Sequence, residues 1–323
     1  MTDPMIQVEH LSRVFVRRQR SGASVEAVHD LTFAVPRGQF TGLLGPNGAG
    51  KSTTVKMLTG ILMPTSGRVT VGGMDPTRER VRLSRRMGVV FGQRTQLWWD
   101  LPLKDSFRIL EAMYRIPAAR GQAHLADLTH LLDLAPLMDV PVRHLSLGQR
   151  MRSELAAALL HEPEVLFLDE PTIGLDVAAK RVVRDRLLYV NRTFGTTIML
   201  TTHDMGDVEA LCERLVVLSQ GRLVFDGPPS GLAEVMGAPR ILYVTFARDL
   251  DRDRLPSIPA TRLTLDDART VAASFDGRSV SAVSVLEALR TLGEPEDFRL
   301  EDAGLEEAMH RFYISDGRSA SDA

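Results

Sequence analysis

Gly45-Pro46-Asn47-Gly48-Ala49-Gly50-Lys51-Ser52, followed by Thr53, fits G-x-x-x-x-G-K-[ST] at every fixed position. Apolar Gln39–Leu44 before it reads as a strand, and Ser52–Leu62 after it reads as a helix. In that setting glycines let backbone N–H groups close around phosphate oxygens, and the helix start turns its positive end toward them. Lys51 would reach the β- and γ-phosphates of a nucleotide, and the Ser52 hydroxyl would hold Mg²⁺.

Outward from this loop, apolar runs alternate with helical patterns as far as about residue 227. Val165–Leu168 and Thr197–Leu200 read as buried strands, Lys180–Val190 and Asp204–Cys212 as helices. Leu215–Leu218 and Arg222–Phe225 follow, separated by the turn Gln220-Gly221. Apolar runs interleaved with helices predict an α/β fold whose mostly parallel sheet is covered on both faces. Beyond Gly227-Pro228-Pro229 the texture changes. Ile241–Phe246, Thr261–Leu265 and Thr270–Phe275 alternate like half-buried strands, and Ser281–Leu292 carries a helical stripe closed by Gly293. With a last helix over Leu305–Tyr313, residues 240–314 read as a small α+β module, and 315–323 as a frayed tail.

The composition is that of a soluble globular chain: 323 residues, 44% apolar and 25% charged. Thirty-nine basic against 41 acidic side chains leave a net charge of −2, which gives no global attraction to nucleic acid or acidic lipid. Arg78, Arg80, Arg82, Arg85 and Arg86 form a local basic cluster, read as a solvated helix face. One cysteine, Cys212, excludes an internal disulfide framework and reads as a packed side chain. No run approaches the ~20 apolar residues of a membrane span, and the first residues lack the pattern of a signal peptide. The protein is therefore expected in the cytosol.

Val165-Leu166-Phe167-Leu168-Asp169-Glu170 is an apolar strand ending in two acids. A carboxylate at the tip of a buried strand must face something polar. Downstream of a phosphate loop, Asp169 would meet Mg²⁺ and Glu170 would accept a proton from an attacking water. Leu145-Ser146-Leu147-Gly148-Gln149 opens a helix with apolar positions at Leu147, Met151, Leu155 and Leu159. Ser146 is a suitable N-cap, and the helix start is a second anion-binding end. Two phosphate-binding ends on one chain are redundant unless they serve different ends of the same nucleotide.

Together these motifs resemble those of the ATP-binding subunits of ABC transporters. The phosphate loop is similar to the family's Walker A motif and Val165–Glu170 to its Walker B. Leu145–Gln149 resembles the signature Leu-Ser-Gly-Gly-Gln, with Leu147 in the place of a glycine. Gln149 stands 20 positions before Asp169, the usual family spacing. Gly174-Leu175-Asp176 resembles the D-loop, His203 the switch histidine, and Phe15 the aromatic placed under adenine. Gln93 resembles the Q-loop glutamine. Its distance from Gly88 is one residue longer than usual and Gln96 competes, but counting back from Leu101-Pro102-Leu103 favours Gln93. Trp98 and Trp99 follow the Q-loop, where core packing and partner contact are both open.

The resemblance implies an ABC-type P-loop NTPase domain over residues 1–236, with a mixed sheet core and a helical subdomain. It implies two ATP molecules enclosed by two stacked copies of the chain, or by one copy and a homologous subunit. Each ATP would lie against Phe15 and Gly45–Thr53 of one subunit and Ser146, Gly148, Gln149 and Asp176 of the other. Glu170, His203, Lys51 and Gln93 would carry hydrolysis, with Mg²⁺ at Ser52, Asp169 and Gln93. The family works beneath separate transmembrane permease chains, on the inner face of the cell membrane, and binds no nucleic acid through these motifs. The module after the nucleotide-binding domain resembles drug- and antibiotic-exporter ATPases, so export is expected. The alternative is a soluble ABC ATPase without a transporter. Those relatives often carry two cassettes or long coiled-coil insertions, neither of which is present here.

Overall fold

The structure is a computed structural model. It describes residues 3–16, 24–92, 94–235, 239–251 and 255–301, and of the remainder 304–306, 308, 309 and 312. The chain divides into two compact units, Met1–Asp226 and Gly227–Ala323. The division falls ten residues before the boundary expected from the sequence, so the helix Pro229–Val235 goes with the second unit.

In the first unit, β1 (Ile6–Val16), β2 (Ser24–Val35) and β4 (Ser66–Val71) form an antiparallel sheet in the order β2-β1-β4. The second sheet holds β3 (Phe40–Leu44), β5 (Met87–Phe91), β6 (Val165–Asp169), β7 (Thr197–Thr201), β8 (Arg214–Ser219) and β9 (Arg222–Gly227). Their order is β5-β6-β7-β3-β8-β9. β3 pairs in parallel with β7 and β8, and β6 with β5 and β7. Every residue of β3 and β7 is buried, which is why they read as continuous apolar runs rather than alternating ones. The β8–β9 turn is Gln220-Gly221, both with positive φ (47° and 77°), the conformation that suits a two-residue hairpin. Because β3, β6 and β7 are parallel, their C-terminal ends lie along one edge. Gly45, Asp169 and Thr201 stand there, at the place where open α/β sheets bind ligands.

The helices end where local chemistry ends them. α1 spans Lys51–Leu58, four residues short of the expected stop. Gly60 adopts φ +70°, its N–H donates to Met57 O, and Ile61 N–H donates to Lys56 O. This pair of bonds is the glycine C-cap that closes a helix. α2 is the single turn Arg80–Leu83. α3 (Leu103–Tyr114), α4 (Ala118–Leu131) and α5 (Leu147–Leu159) make the helical subdomain. α6 runs Val177–Phe194, longer than expected at both ends, because Asp176 caps its start and Gly195 (φ +64°) stops it. α7 is Met205–Leu211, capped by Asp204. Among the described residues no helix is long and apolar enough to cross a membrane.

In the second unit α8 (Pro229–Val235) precedes an antiparallel sheet of β10 (Arg240–Phe246), β11 (Thr261–Leu265), β12 (Thr270–Phe275) and β13 (Pro295–Glu301), ordered β11-β12-β10-β13. α9 (Ala282–Leu289) packs Val285 and Leu289 against Leu242, Val244, Phe246, Val271, Ala273 and Phe275. Leu305, Ala308 and Met309 are buried at helical spacing. Tyr313 and the tail 315–323 lie outside the described residues.

Candidate nucleotide site

The loop from β3 to α1 has the backbone that only glycines supply cheaply. Gly45 sits at φ +145°, and a Cβ there would lie 2.2 Å from the Leu218 carbonyl oxygen of β8. Gly50 sits at φ +100°, with the Ala27 carbonyl 2.6 Å from where its Cβ would be. Asn47 and Gly48 form the exposed tip, between Pro46 and the buried Ala49. Lys51 is only 8% exposed, and its ammonium donates to the carbonyls of Gly45 (2.6 Å) and Pro46 (2.9 Å). Burial lowers the Lys51 pKa, and the charges of Glu170 and Asp169 oppose that shift. Ser52 is exposed and Thr53 half-buried on the first turn of α1.

Two parallel strands bring the acids and the histidine together. Asp169 ends β6, and Thr201 at the end of β7 donates its hydroxyl to Asp169 Oδ1. The Glu170 N–H donates to Thr201 O (2.9 Å), and Glu170 itself holds φ +53°, an uncommon conformation for a side-chain-bearing residue. That turn brings Glu170 Oε1 to 3.0 Å from His203 Nε2. Gly92 donates to Asp169 O (2.8 Å), and a Cβ on it would meet Glu170 O at 2.6 Å. Gln93, the next residue, lies outside the described residues. Phe15 is 39% exposed with the Arg13 guanidinium 4.7 Å above its ring. It pairs with Val25, two residues along β2 from the Ala27 that touches Gly50.

The second anion-binding end stands apart from the first. Ser146 caps α5: Gln149 N–H donates to its hydroxyl (3.3 Å), and Gln149 Oε1 accepts from Ser146 N–H (2.9 Å). Leu147 lays its Cδ2 over Gly174, 2.9 Å from where a Cβ would be. A Cβ added at Gly148 would meet Ala179 Cβ at 3.4 Å and Leu175 Cδ2 at 3.8 Å, ordinary contact distances. Asp176 accepts from Ala179 N–H (2.8 Å). Ser146, Gly148, Gln149 and Asp176 share an open groove of about 980 Å³, and none of its lining residues comes from Gly45–Thr53, Asp169, Glu170 or His203.

The family described as ABC transporter matches residues 28–173. The daunorubicin resistance ATP-binding protein DrrA3 of Streptomyces coeruleorubidus is 35% identical over 286 residues, 88% of this chain and 90% of that one. This chain belongs to the ABC transporter ATP-binding subunits. As an ABC subunit it is an ATP-binding, ATP-hydrolysing cassette. The methionine import ATP-binding protein MetN of Photorhabdus laumondii subsp. laumondii is 32% identical over 301 residues, 88% of this chain and 84% of that one. The structure of cbiO1 from Clostridium perfringens, part of the ABC transporter complex cbiONQ, superposes with a TM-score of 0.64 at 29% identity, covering 72% of this chain and 91% of that one.

In this ABC cassette the segment that follows Gly92 is tied to α5 through Thr95 and Gln96. Glu154 of α5, 4% exposed, accepts from the Thr95 hydroxyl and from Gln96 N–H (3.2 Å), while the Gln96 amide donates to Glu154 O (3.2 Å). Gln96 thus has a partner of its own. Trp98 is half-buried, and Trp99 is 48% exposed with Arg150 of α5 over its ring at 5.8 Å. Of the arginine cluster, Arg78 pairs with Asp75, Arg82 with Glu79 and Arg86 with Glu164. Cys212 is buried, and burial pushes its thiol up.

Burial also pushes the Glu154 carboxyl above its usual range, against the Thr95 and Gln96 hydrogen bonds and the Arg150 charge. A carboxyl raised in the folded state costs nothing below its unfolded pKa of roughly 4.3. It costs stability as pH rises from there through the folded value. In Glu154→Gln, the melting temperature measured against wild type should therefore become relatively higher between pH 4 and pH 7. A difference that does not change with pH would remove ionised Glu154 from the account.

Proposed function

We propose that two copies of the chain stack so that each ATP lies between Gly45–Thr53 of one and Ser146–Gln149 of the other. The observation that carries this is the separation of two anion-binding helix starts into two clusters, only one of which holds Lys51, Asp169, Glu170 and His203. In the reaction, Lys51 and the loop amides hold the β- and γ-phosphates, and Glu170 takes a proton from water attacking the γ-phosphate in line. His203, whose Nε2 stands 3.0 Å from Glu170 Oε1, would sit beside the phosphoryl group. Phe15 supports the adenine.

The exposed Ser52 hydroxyl on the first turn of α1 and the Asp169 carboxylate at the end of β6 are hard oxygen donors, the kind that suits Mg²⁺. With Gln93 they would hold the ion, which supplies charge neutralisation at the phosphates. The output is closure and reopening of the dimer against separate permease chains on the cytoplasmic face of the membrane. Export is the direction favoured by the daunorubicin resistance relative, at higher identity than the methionine importer. Cells carrying Glu170→Gln would then accumulate the cargo rather than lack it.

Mixing tests the shared site. Lys51→Ala and Ser146→Arg are each expected to be inactive, and their mixture to regain part of the wild-type rate, because one composite site per mixed dimer is intact. Mixed dimers that form, shown by two affinity tags, but hydrolyse nothing would count against closure in trans.

A further inference from the structure

The hydrolytic pair is held by a buried polar network that the mechanism above does not use. Asp207 on α7 is 0% exposed. Its Oδ2 accepts from the Thr172 hydroxyl and from the Thr202 hydroxyl (3.4 Å), and its Oδ1 accepts from Arg184 Nε (2.5 Å). Thr172 stands two residues after Glu170, and Thr202 immediately precedes His203. Both threonines are buried. One carboxylate therefore bonds to both segments whose side chains meet at 3.0 Å in the Glu170–His203 contact.

The network closes on itself. Asp204 Oδ1 accepts from Asp207 N–H (3.0 Å) and from Arg184 Nη2 (3.1 Å), and Asp204 Oδ2 pairs with Lys180. The Thr202 hydroxyl also accepts from Asp204 N–H (3.0 Å). Burial alone would raise the Asp204 carboxyl. The Lys180 hydrogen bond, the Asp207 amide and the charges of Lys180 and Arg184 outweigh burial and hold it below the usual range. Two acids face two cations, so no charge is stranded. Lys180, Arg184 and Asp204 are half-buried around the buried Asp207, and an ion cluster of this kind is a poor source of stability, since packed apolar side chains would serve as well. What apolar side chains would not supply is direction. Hydrogen bonds fix where Thr172 and Thr202 stand, and through them the backbone that aims Glu170 and His203.

We propose that Asp207 is a positioning residue for hydrolysis, acting through Thr172 and Thr202 to hold Glu170 and His203 in their mutual geometry. The proposal rests on the reading that those two residues serve hydrolysis. Lys180 and Arg184 belong to α6, which begins at the D-loop residue Asp176, so the same network fixes that helix to the pair.

The test is steady-state and single-turnover ATP hydrolysis by the full chain, with ATP affinity measured separately. Asp207→Asn should lower kcat by about 10- to 100-fold, as a misplaced reacting group does, with KM and ATP affinity within about threefold of wild type. Thr172→Val keeps the volume and removes the hydroxyl, and should lower kcat by about tenfold, while Thr172→Ser should recover most of that loss. In a Glu170→Gln background the effect of Thr172→Val should shrink to less than about threefold, because a positioning residue acts only through the group it holds. Wild-type turnover in folded Thr172→Val and Asp207→Asn would overturn the proposal. So would parallel losses of ATP affinity and turnover, or an undiminished effect in Glu170→Gln. If Asp207→Asn does not fold, the Thr172 pair decides. Glu170→Gln and His203→Ala are run alongside. Wild-type rates in those two would sink the hydrolytic reading itself, whereas slow rates there with fast Thr172→Val and Asp207→Asn sink only the positioning role.

Discussion

Glu170→Gln is expected to lower ATP turnover by ~10²–10⁴-fold, the usual contribution of a positioned general base. The substitution is close to isosteric and keeps an oxygen or nitrogen where Glu170 Oε1 stands 3.0 Å from His203 Nε2, so the contact survives in form. It adds no side-chain bulk at φ +53°, so the strained turn after β6 is not strained further. Basicity is what it removes. Lys51 and the loop glycines are untouched, so ATP binding should remain. With hydrolysis slow and binding intact, a nucleotide-bound dimer should accumulate and run as such on a sizing column. Turnover near the wild-type value would take Glu170 out of the mechanism and leave Asp169 or His203 to explain the proton's path.

The sites that could be read from the sequence are those where one element carries the whole pattern. Gly45–Ser52, Val165–Glu170 and Ser146–Gln149 are each contiguous, and each sits at a strand or helix end whose polarity contradicts its apolar neighbours. The central strands were legible because burial on both faces leaves an unbroken apolar run. β1 and β2 carry no clean strand signal in the sequence. Their alternation is interrupted by register shifts at Leu11 and Arg13, which break the period-two signal. β13, Pro-Glu-Asp-Phe-Arg-Leu-Glu, gives no strand signal either, because its exposed edge carries charge rather than an apolar run. The Asp207 network was invisible for another reason. Its members come from the turn after β6, from α6 and from α7, and no spacing rule joins Thr172, Arg184 and Asp207 before the fold does. The one local trace was Asp204 followed three residues later by Asp207, which reads as an ordinary helix start. Glu154 left a trace of the same kind: an acid inside the apolar stripe of α5 asks for a partner, but only the structure names Thr95 and Gln96.

Gly45→Ala is the substitution expected to damage the fold and the site together. β3 and β8 are neighbouring parallel strands, with Leu44 opposite Val217, so the chain leaves β3 at Gly45 directly beside Leu218. A methyl group there would stand 2.2 Å from the Leu218 carbonyl oxygen and 3.0 Å from Ala49 Cβ. Neither neighbour can swing away. Leu218 is a buried residue of a central strand, and Ala49 is part of the loop itself. The clash adds to a φ of +145° that side-chain-bearing residues rarely adopt, so a loss of about 3 kcal/mol or more follows. Relief by shifting Gly45–Gly50 would turn the loop amides away from the phosphates. ATP affinity should fall by about 100-fold or more, since several charge-assisted hydrogen bonds go together. Gly48→Ala is the control. Its φ is +84°, but no atom lies within 4 Å of the added carbon, so only the backbone penalty of roughly 1–2 kcal/mol applies. Thermal melting and nucleotide titration of the two variants side by side separate steric contact from conformational preference. Equal destabilisation by the two would mean that the approach to Leu218 is not what makes Gly45 necessary.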